Sequence, residues 1–193
     1  MTSYKIAILV GSLREGSLNR KVAQSLCALA GDRLNCDIVD IGSLPLYNAD
    51  SDEDPPAEYV AFRDEISRAD GVLFVTPEYN RGMPGVLKNA IDVGSRPYGK
   101  SVFNQKPAAI VSASPGSIGG ALANFQVRQS CVFLNMPVMQ HPEAYLGRVS
   151  DDSFDEDGCL KDGPLKDLVK SLAEAFGDWV HLIHESRSLL AAR

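Results

Sequence analysis

The sequence predicts an α/β fold in which a parallel sheet is covered by helices on both faces. Two observations lead to this prediction. Short apolar runs rich in β-branched residues alternate with segments of helical periodicity along the whole chain. The runs are continuously apolar, as is typical of strands that are buried on both faces. No repeat, low-complexity stretch or change in composition divides the sequence, so we expect residues 1–193 to form a single domain.

Five apolar runs are predicted to form the strands of the sheet. They span residues 4–10, 36–42, 71–77, 107–114 and 136–140. Helices are predicted between them because apolar residues recur there at helical spacing, first at Val22, Leu26 and Leu29. The later helices are expected at residues 59–69, 85–94, about 122–133, and from after Gly163–Pro164 towards Arg193.

The number of strands and the length of the chain indicate how the sheet is ordered. Five strands in 193 residues match the flavodoxin-like three-layer sandwich, with strand order 2-1-3-4-5. Ligands of such sheets bind beyond the carboxyl ends of the strands, and flavodoxin itself places FMN between the first and third strands. The loops that follow Val10, Thr76 and Ser112 are therefore the places to look for a site.

Composition excludes several classes of partner. The formal net charge of −6 argues against nucleic acid or an anionic membrane surface. No apolar stretch approaches the roughly 20 residues that cross a bilayer, and residues 1–12 lack the pattern of a signal peptide. The four cysteines are scattered without a CxxC pair. We therefore expect a cytoplasmic protein with reduced thiols.

The first loop, residues 11–19, has the composition of a phosphate-binding turn. Ser12, Ser17 and Asn19 offer neutral donors, and the Arg14 guanidinium suits phosphate oxygens. A phosphate there would also meet the positive end of the following helix. Ser17 and Leu18 stand where a P-loop requires Lys-Ser/Thr, which argues against nucleoside triphosphate hydrolysis, and no GxGxxG is present. The alternative is a polar turn that caps the helix through Ser17.

Two further loops follow predicted strands. The second loop, residues 76–85, begins with a proline and ends in a Gly-x-Pro-Gly turn, so it can aim backbone N–H groups at one edge of a ligand. An ordinary strand-to-helix connection is the alternative. The third loop, residues 114–120, is rich in glycine, which lets the backbone approach a flat ligand closely.

Together these loops resemble those of the NADPH-dependent FMN reductase family, which includes bacterial chromate and quinone reductases. GSLREGSLN resembles the family's GSxRxxSxN phosphate loop, and PEYNRGMPGVLKNAID resembles PEYNxxxPGxLKNAIDW. The segment SASPGSIGG is similar to SxSPGxxGG. The resemblance runs from Tyr4 to about Tyr145, and its visible departure is Val93, where the family has tryptophan.

The resemblance implies which residues bind FMN. The first loop would hold the phosphate, the second would line the isoalloxazine ring, and the third would lie along the flavin. The implied residues are Ser12, Arg14, Ser17, Leu18 and Asn19 in the first loop, Pro77, Glu78, Tyr79 and Asn80 in the second, and Ser114 and Gly116 in the third. No metal site is expected, because the acidic loop near Gly158 and the histidines of the last helix lack complete ligand sets.

The resemblance also implies an activity. NADPH or NADH would pass a hydride to the N5 atom of FMN, which leaves no catalytic role for a side chain, and the electrons would go to a quinone in a ping-pong mechanism. Chromate, free flavin and azo compounds are further expected acceptors. A homodimer or homotetramer is implied, with Arg128, Glu143 and Tyr145 as candidate interface residues, and Arg81 and Arg96 are candidates for attracting an anionic substrate.

Two other functions remain open on the sequence. A flavodoxin-like electron carrier would bind FMN but need a protein partner, although the first loop lacks the Thr/Ser-rich pattern of flavodoxins. A phospho-receiver of the same fold would need an aspartate cluster at the strand ends. The residues at those ends are instead Gly11-Ser12, Thr76-Pro77 and Ser112-Ala113.

Overall fold

A single five-stranded parallel sheet forms the centre of the computed structural model, which describes residues 3–191. Its order is β2-β1-β3-β4-β5, which confirms the flavodoxin-like topology predicted from the sequence. The strands are β1 (Tyr4–Val10), β2 (Leu34–Ile38), β3 (Gly71–Thr76), β4 (Ala108–Ala113) and β5 (Tyr145–Leu146).

Helices cover both faces of this sheet. They are α1 (Leu18–Ala30), α2 (Ala57–Ser67), α3 (Gly85–Gly94), α4 (Ala121–Phe133) and α5 (Pro164–Ala191). Helices α1 and α5 enclose one apolar cluster against the sheet, and α2, α3 and α4 enclose the other. Successive strand residues contribute to opposite clusters, so Ile6 and Ile8 face α1 and α5 while Ala7 and Leu9 face the other three helices. This double burial explains the continuous apolar runs.

The second predicted strand is misplaced towards the carboxyl end. The sequence indicated residues 36–42, whereas β2 spans Leu34–Ile38 and only Val39 continues its hydrogen bonding, with an N–H donated to the Ile8 carbonyl. The Asp40 carboxylate then accepts the Gly42 N–H at 2.9 Å. This side-chain bond turns the chain away from the sheet in spite of its apolar residues.

The fifth predicted strand is wrong in position. Residues 136–140 make only one parallel bridge, between Val138 and Ala108, while β5 itself is the short segment Tyr145–Leu146 beside the end of β4. Pro137 and Pro142 lack N–H groups, so neither residue can donate to a hydrogen-bonded ladder. The chain leaves the sheet after the bridge at Val138 and rejoins its edge at β5.

The other predicted elements lie within two residues of their observed bounds. Helix α5 begins at Pro164, one residue earlier than expected, and the stripe that includes Val169, Leu172 and Phe176 is buried against the sheet. Its predicted end at Arg193 lies outside the described residues. Across residues 3–191, no helix is both long enough and apolar enough to cross a bilayer.

Candidate functional site

The three loops singled out from the sequence meet at the carboxyl edge of β1, β3 and β4. The Gly11 N–H donates to the Val75 carbonyl at 2.8 Å. A Cβ atom at Gly11 would lie 3.2 Å from Thr76 Oγ1 and 3.3 Å from Pro77 Cδ, so the first and second loops are in close contact. Asn19 Nδ2 donates to the Ala113 carbonyl at 3.1 Å, which joins α1 to the residue before the third loop.

The first loop leads into a helix terminus with a neutral cap. Ser17 is 3% exposed, and its Oγ accepts the Arg20 N–H at 3.2 Å, so it is the N-cap that the alternative interpretation of this loop gave. Within residues 3–191, the N–H groups of Leu18 and Asn19 have no protein acceptor. Unpaired N–H groups and the positive end of the helix dipole together favour an anion at this position.

Asn19 adds a buried polar atom to this terminus. The side chain is 5% exposed, and among the described residues Oδ1 has no hydrogen-bond partner. A buried acceptor without a partner costs about 1–3 kcal/mol. A ligand that combined an anionic group with hydroxyl or N–H donors would satisfy both the helix terminus and this oxygen.

Two of the cations beside the first loop, Lys21 and Arg14, act on one carboxylate. Lys21 donates to Asp151 Oδ1 at 2.8 Å, and this bond and charge hold the pKa of the Asp151 carboxyl below its ordinary value. Arg14 adds a smaller attraction to the same carboxyl. Its side chain is exposed, and within the described part of the chain it forms no ion pair. Arg14 is therefore the cation of this loop that is open to an anionic ligand. Ser12, in contrast, is buried directly after β1.

The second loop is built around a tight turn. Tyr79 and Gly82 exchange backbone hydrogen bonds of 3.0 Å in both directions. Asn80 and Arg81 occupy the left-handed region, with φ of 52° and 64°, as in the type I′ turn of a hairpin. The Tyr79 side chain is 53% exposed at the edge of this turn. Its ring and the N–H groups at the tip are consequently available to a ligand.

Glu78 makes a different set of contacts. Its side chain is 10% exposed, and Oε2 accepts the N–H groups of Leu122 at 2.9 Å and Ala123 at 3.3 Å. Oε1 pairs with Arg81 Nη1 at 3.1 Å. The carboxylate thus caps the N-terminus of α4 and faces into the protein, while Pro77 before it is buried against Gly11.

The third loop lies against the segment that follows β5. The Gly116 carbonyl accepts the N–H groups of Arg148 at 3.1 Å and Gly119 at 3.3 Å, and Ser114 Oγ donates to it at 3.3 Å. Gly119 has a φ of 66°, and a Cβ there would lie 2.5 Å from the Tyr145 carbonyl group. Only glycine at position 119 allows the loop to pass this close to Tyr145. The exposed backbone at Gly116 is held in place by the hydrogen bonds to its carbonyl group.

Four other candidates from the sequence lie outside these loops. Arg128 bonds within its own chain, through Nε to Asn124 Oδ1 at 3.0 Å and through Nη1 to the Met139 carbonyl at 3.1 Å. Tyr145 donates to Glu143 at 2.9 Å. Arg96 follows the far end of α3, about 15 Å along that helix from the second loop, and lines a cavity of about 320 Å³.

One residue of the site was missed by sequence reasoning. Gln126, on α4, accepts the Met83 N–H through Oε1 at 2.9 Å and lies over Gly82. The two partners are 43 residues apart, and no local pattern in the sequence marks either of them.

The chain is similar in sequence and fold to several known proteins. The sequence pattern of the family described as NADPH-dependent FMN reductase matches residues 4–151, which include all three loops. A quinone reductase of Pseudomonas putida is 56% identical over 180 residues, or 93% of this chain and 96% of that protein. A 2-hydroxy-1,4-benzoquinone reductase of a Burkholderia species is 44% identical, with 92% and 97% covered. The structure of FerB, a flavoenzyme NAD(P)H:(acceptor) oxidoreductase from Paracoccus denitrificans, matches with a TM-score of 0.88 and 39% identity over 92% of this chain and 97% of its own.

Proposed function

This chain belongs to the NADPH-dependent FMN reductase family, and we propose that it acts as an FMN-dependent NAD(P)H:quinone reductase. The observation that carries the proposal is the N-terminus of α1. Two N–H groups and Asn19 Oδ1 have no partner there within residues 3–191, and together with the exposed Arg14 they suit a ligand with both a phosphate and hydroxyl groups. FMN has these groups, so the residues present fit the cofactor of the family.

The proposed binding residues divide by the part of the cofactor that they would hold. Ser12, Arg14, Ser17, Leu18 and Asn19 would surround the phosphate and the adjoining chain. Tyr79 and the backbone of Pro77, Glu78 and Asn80 would line the ring, with Ser114 and Gly116 along its side. FMN, when bound, supplies the centre that accepts a hydride, so the protein contributes position and electrostatics. N–H groups that are already fixed need no reorganisation during the reaction.

We further propose a ping-pong order, in which NAD(P)H departs before the oxidant binds. Quinones are the proposed oxidants because two of the relatives are named for them. Chromate, free flavin and azo compounds are proposed as additional acceptors, since a site that relies on the cofactor for its chemistry demands little of the acceptor.

A homodimer or homotetramer is proposed from the exposed face of α4. This face carries the apolar side chains Leu122, Phe125, Val132 and Phe133, all of which are exposed. The only charged residue of α4 is Arg128, and it bonds inward to Asn124 and Met139. In a chain of net charge −6, an uncharged apolar face is where a second copy can approach without repulsion. Light scattering would show a monomer in Phe125→Glu if this face joins the copies.

A cytoplasmic location is also proposed. All four cysteines are free thiols, as expected where glutathione keeps thiols reduced. A dependence on NAD(P)H, a nucleotide of the cytoplasm, agrees with this location.

The test is a visible spectrum of the protein reconstituted with FMN and titrated anaerobically with NADPH and then, separately, with NADH. We expect either or both nucleotides to bleach the band near roughly 450 nm, and a quinone to restore it after the nucleotide has been removed. Recovery without nucleotide present supports the ping-pong order. Bound flavin that neither nucleotide bleaches would instead identify an electron carrier, and a protein that binds no FMN would contradict the proposal.

A further inference from the structure

Two side chains tie the second loop to α4. Glu78, just before the turn of residues 79–82, accepts the N–H groups of Leu122 and Ala123 at 2.9 and 3.3 Å. Met83, just after the turn, donates its N–H to Gln126 Oε1 at 2.9 Å. The two contacts lie on either side of the turn, and both end on the first two turns of the same helix.

The turn between these contacts is a strained piece of backbone. Asn80 and Arg81 both have positive φ, a conformation that non-glycine residues adopt at a cost in free energy. Such a turn persists when surrounding contacts hold both of its ends. The Arg81 side chain adds a third contact by pairing with Glu78 at 3.1 Å.

We infer that Glu78 and Gln126 are positioning residues, whose side chains fix the second loop for the flavin ring without contacting the ring. The inference rests on the proposed function, since it concerns the loop that would line the ring. Both carboxylate oxygens of Glu78 are already used, one by α4 and one by Arg81. Gln126 contacts the loop from the side of α4, where its oxygen lies 3.0 Å from the position of a Cβ at Gly82.

Amide exchange in the flavin-free protein tests the inference directly. Gln126→Ala removes the acceptor of the Met83 N–H, and we expect that amide to exchange at least roughly 10-fold faster by NMR. Gln126→Glu keeps an acceptor oxygen and should restore slow exchange. Gln129→Ala, an exposed residue on the same helix, is the matched control and should leave Met83 unchanged. Exchange in Gln126→Ala at the wild-type rate would overturn the inference.

A comparison of the affinities for FMN and riboflavin distinguishes a loop that holds the ring from one that holds the phosphate. Because the second loop would hold the ring, Gln126→Ala and Glu78→Gln should weaken FMN and riboflavin by the same factor, about 3- to 10-fold. The urea midpoint of Gln126→Ala should remain that of the wild type, since one exposed hydrogen bond adds little to global stability. Loss of FMN affinity alone would overturn the inference. A wild-type protein that binds neither flavin would overturn the proposed function, whereas the Met83 exchange rates are measured without flavin.

Discussion

The N-termini of α1 and α4 lie at the same edge of the sheet but are capped in opposite ways. Helix α1 is capped by the neutral hydroxyl of Ser17, which leaves the N–H groups of Leu18 and Asn19 unpaired within the described residues. Helix α4 has no cap from its own N-cap residue Gly120, and the carboxylate of Glu78 takes up its first N–H groups.

The difference indicates how two helix N-termini at one edge of a sheet can serve different purposes, one open to a ligand and the other bound to a neighbouring loop. A carboxylate at a helix N-terminus uses the same unpaired N–H groups and the same dipole that would attract a phosphate. At α4 the protein supplies that anion itself, which fixes the second loop. At α1 the anion would come from the proposed ligand, and the Asn19 oxygen, which has no partner among the described residues, lies beside it.

Giving α1 a carboxylate cap is expected to have the largest effect. Ser17→Asp keeps a good N-cap but places a negative charge where the FMN phosphate would bind, and we expect the Kd for FMN to rise about 100-fold or more. The affinity for riboflavin, which lacks the phosphate, should change much less. Calorimetric titration with both flavins measures this, with Ser17→Thr as a neutral control. Equal weakening of both flavins would show that α1 does not hold the phosphate.

Removing the carboxylate cap of α4 should instead reduce stability. Glu78→Ala leaves two N–H groups and Arg81 without their partner, and we expect the free energy of unfolding of the flavin-free protein to fall by about 2–3 kcal/mol. Ser17→Ala, which removes only a neutral cap, should cost about 1 kcal/mol. Urea denaturation of both variants checks this order. If Ser17→Ala proved the more damaging, the assignment of a structural role to the α4 cap would fail.

Arg14 is expected to give the smallest effect. Its side chain is exposed, so the interaction with a phosphate is weakened by solvent, and Arg14→Ala should raise the Kd for FMN about 5- to 10-fold. Riboflavin should bind as before. The wild-type affinity for FMN should also decline with added salt more steeply than that of the variant. Parallel salt dependences would remove Arg14 from the site.

The features of the site that the sequence predicts are those that depend on the order of the strands or on residues that are neighbours in the chain. The carboxyl ends of parallel strands meet at one edge, so the loops after β1, β3 and β4 had to come together. The sequence offers Ser17 as the cap of α1 in the alternative interpretation of the first loop, because the residue type and its place before a helical pattern favour that role.

The contacts of α4 have no such local cause. Glu78 reaches Leu122 across 44 residues, and Gln126 reaches Met83 across 43, so the spacing in sequence carries no information about either pair. The fifth strand shows the same limit. The apolar run at residues 136–140 favours a strand, but it makes a single bridge to β4, and the sheet edge is completed by Tyr145–Leu146.

The most direct test of the account is the affinity of the wild-type protein for FMN compared with that for riboflavin, measured in the same buffer at low salt. The two flavins share a ring and differ in the phosphate that α1 is proposed to hold. We predict that FMN binds at least about 100-fold more tightly, in keeping with a phosphate held by unpaired N–H groups and Arg14. Equal affinities for the two flavins would contradict the account.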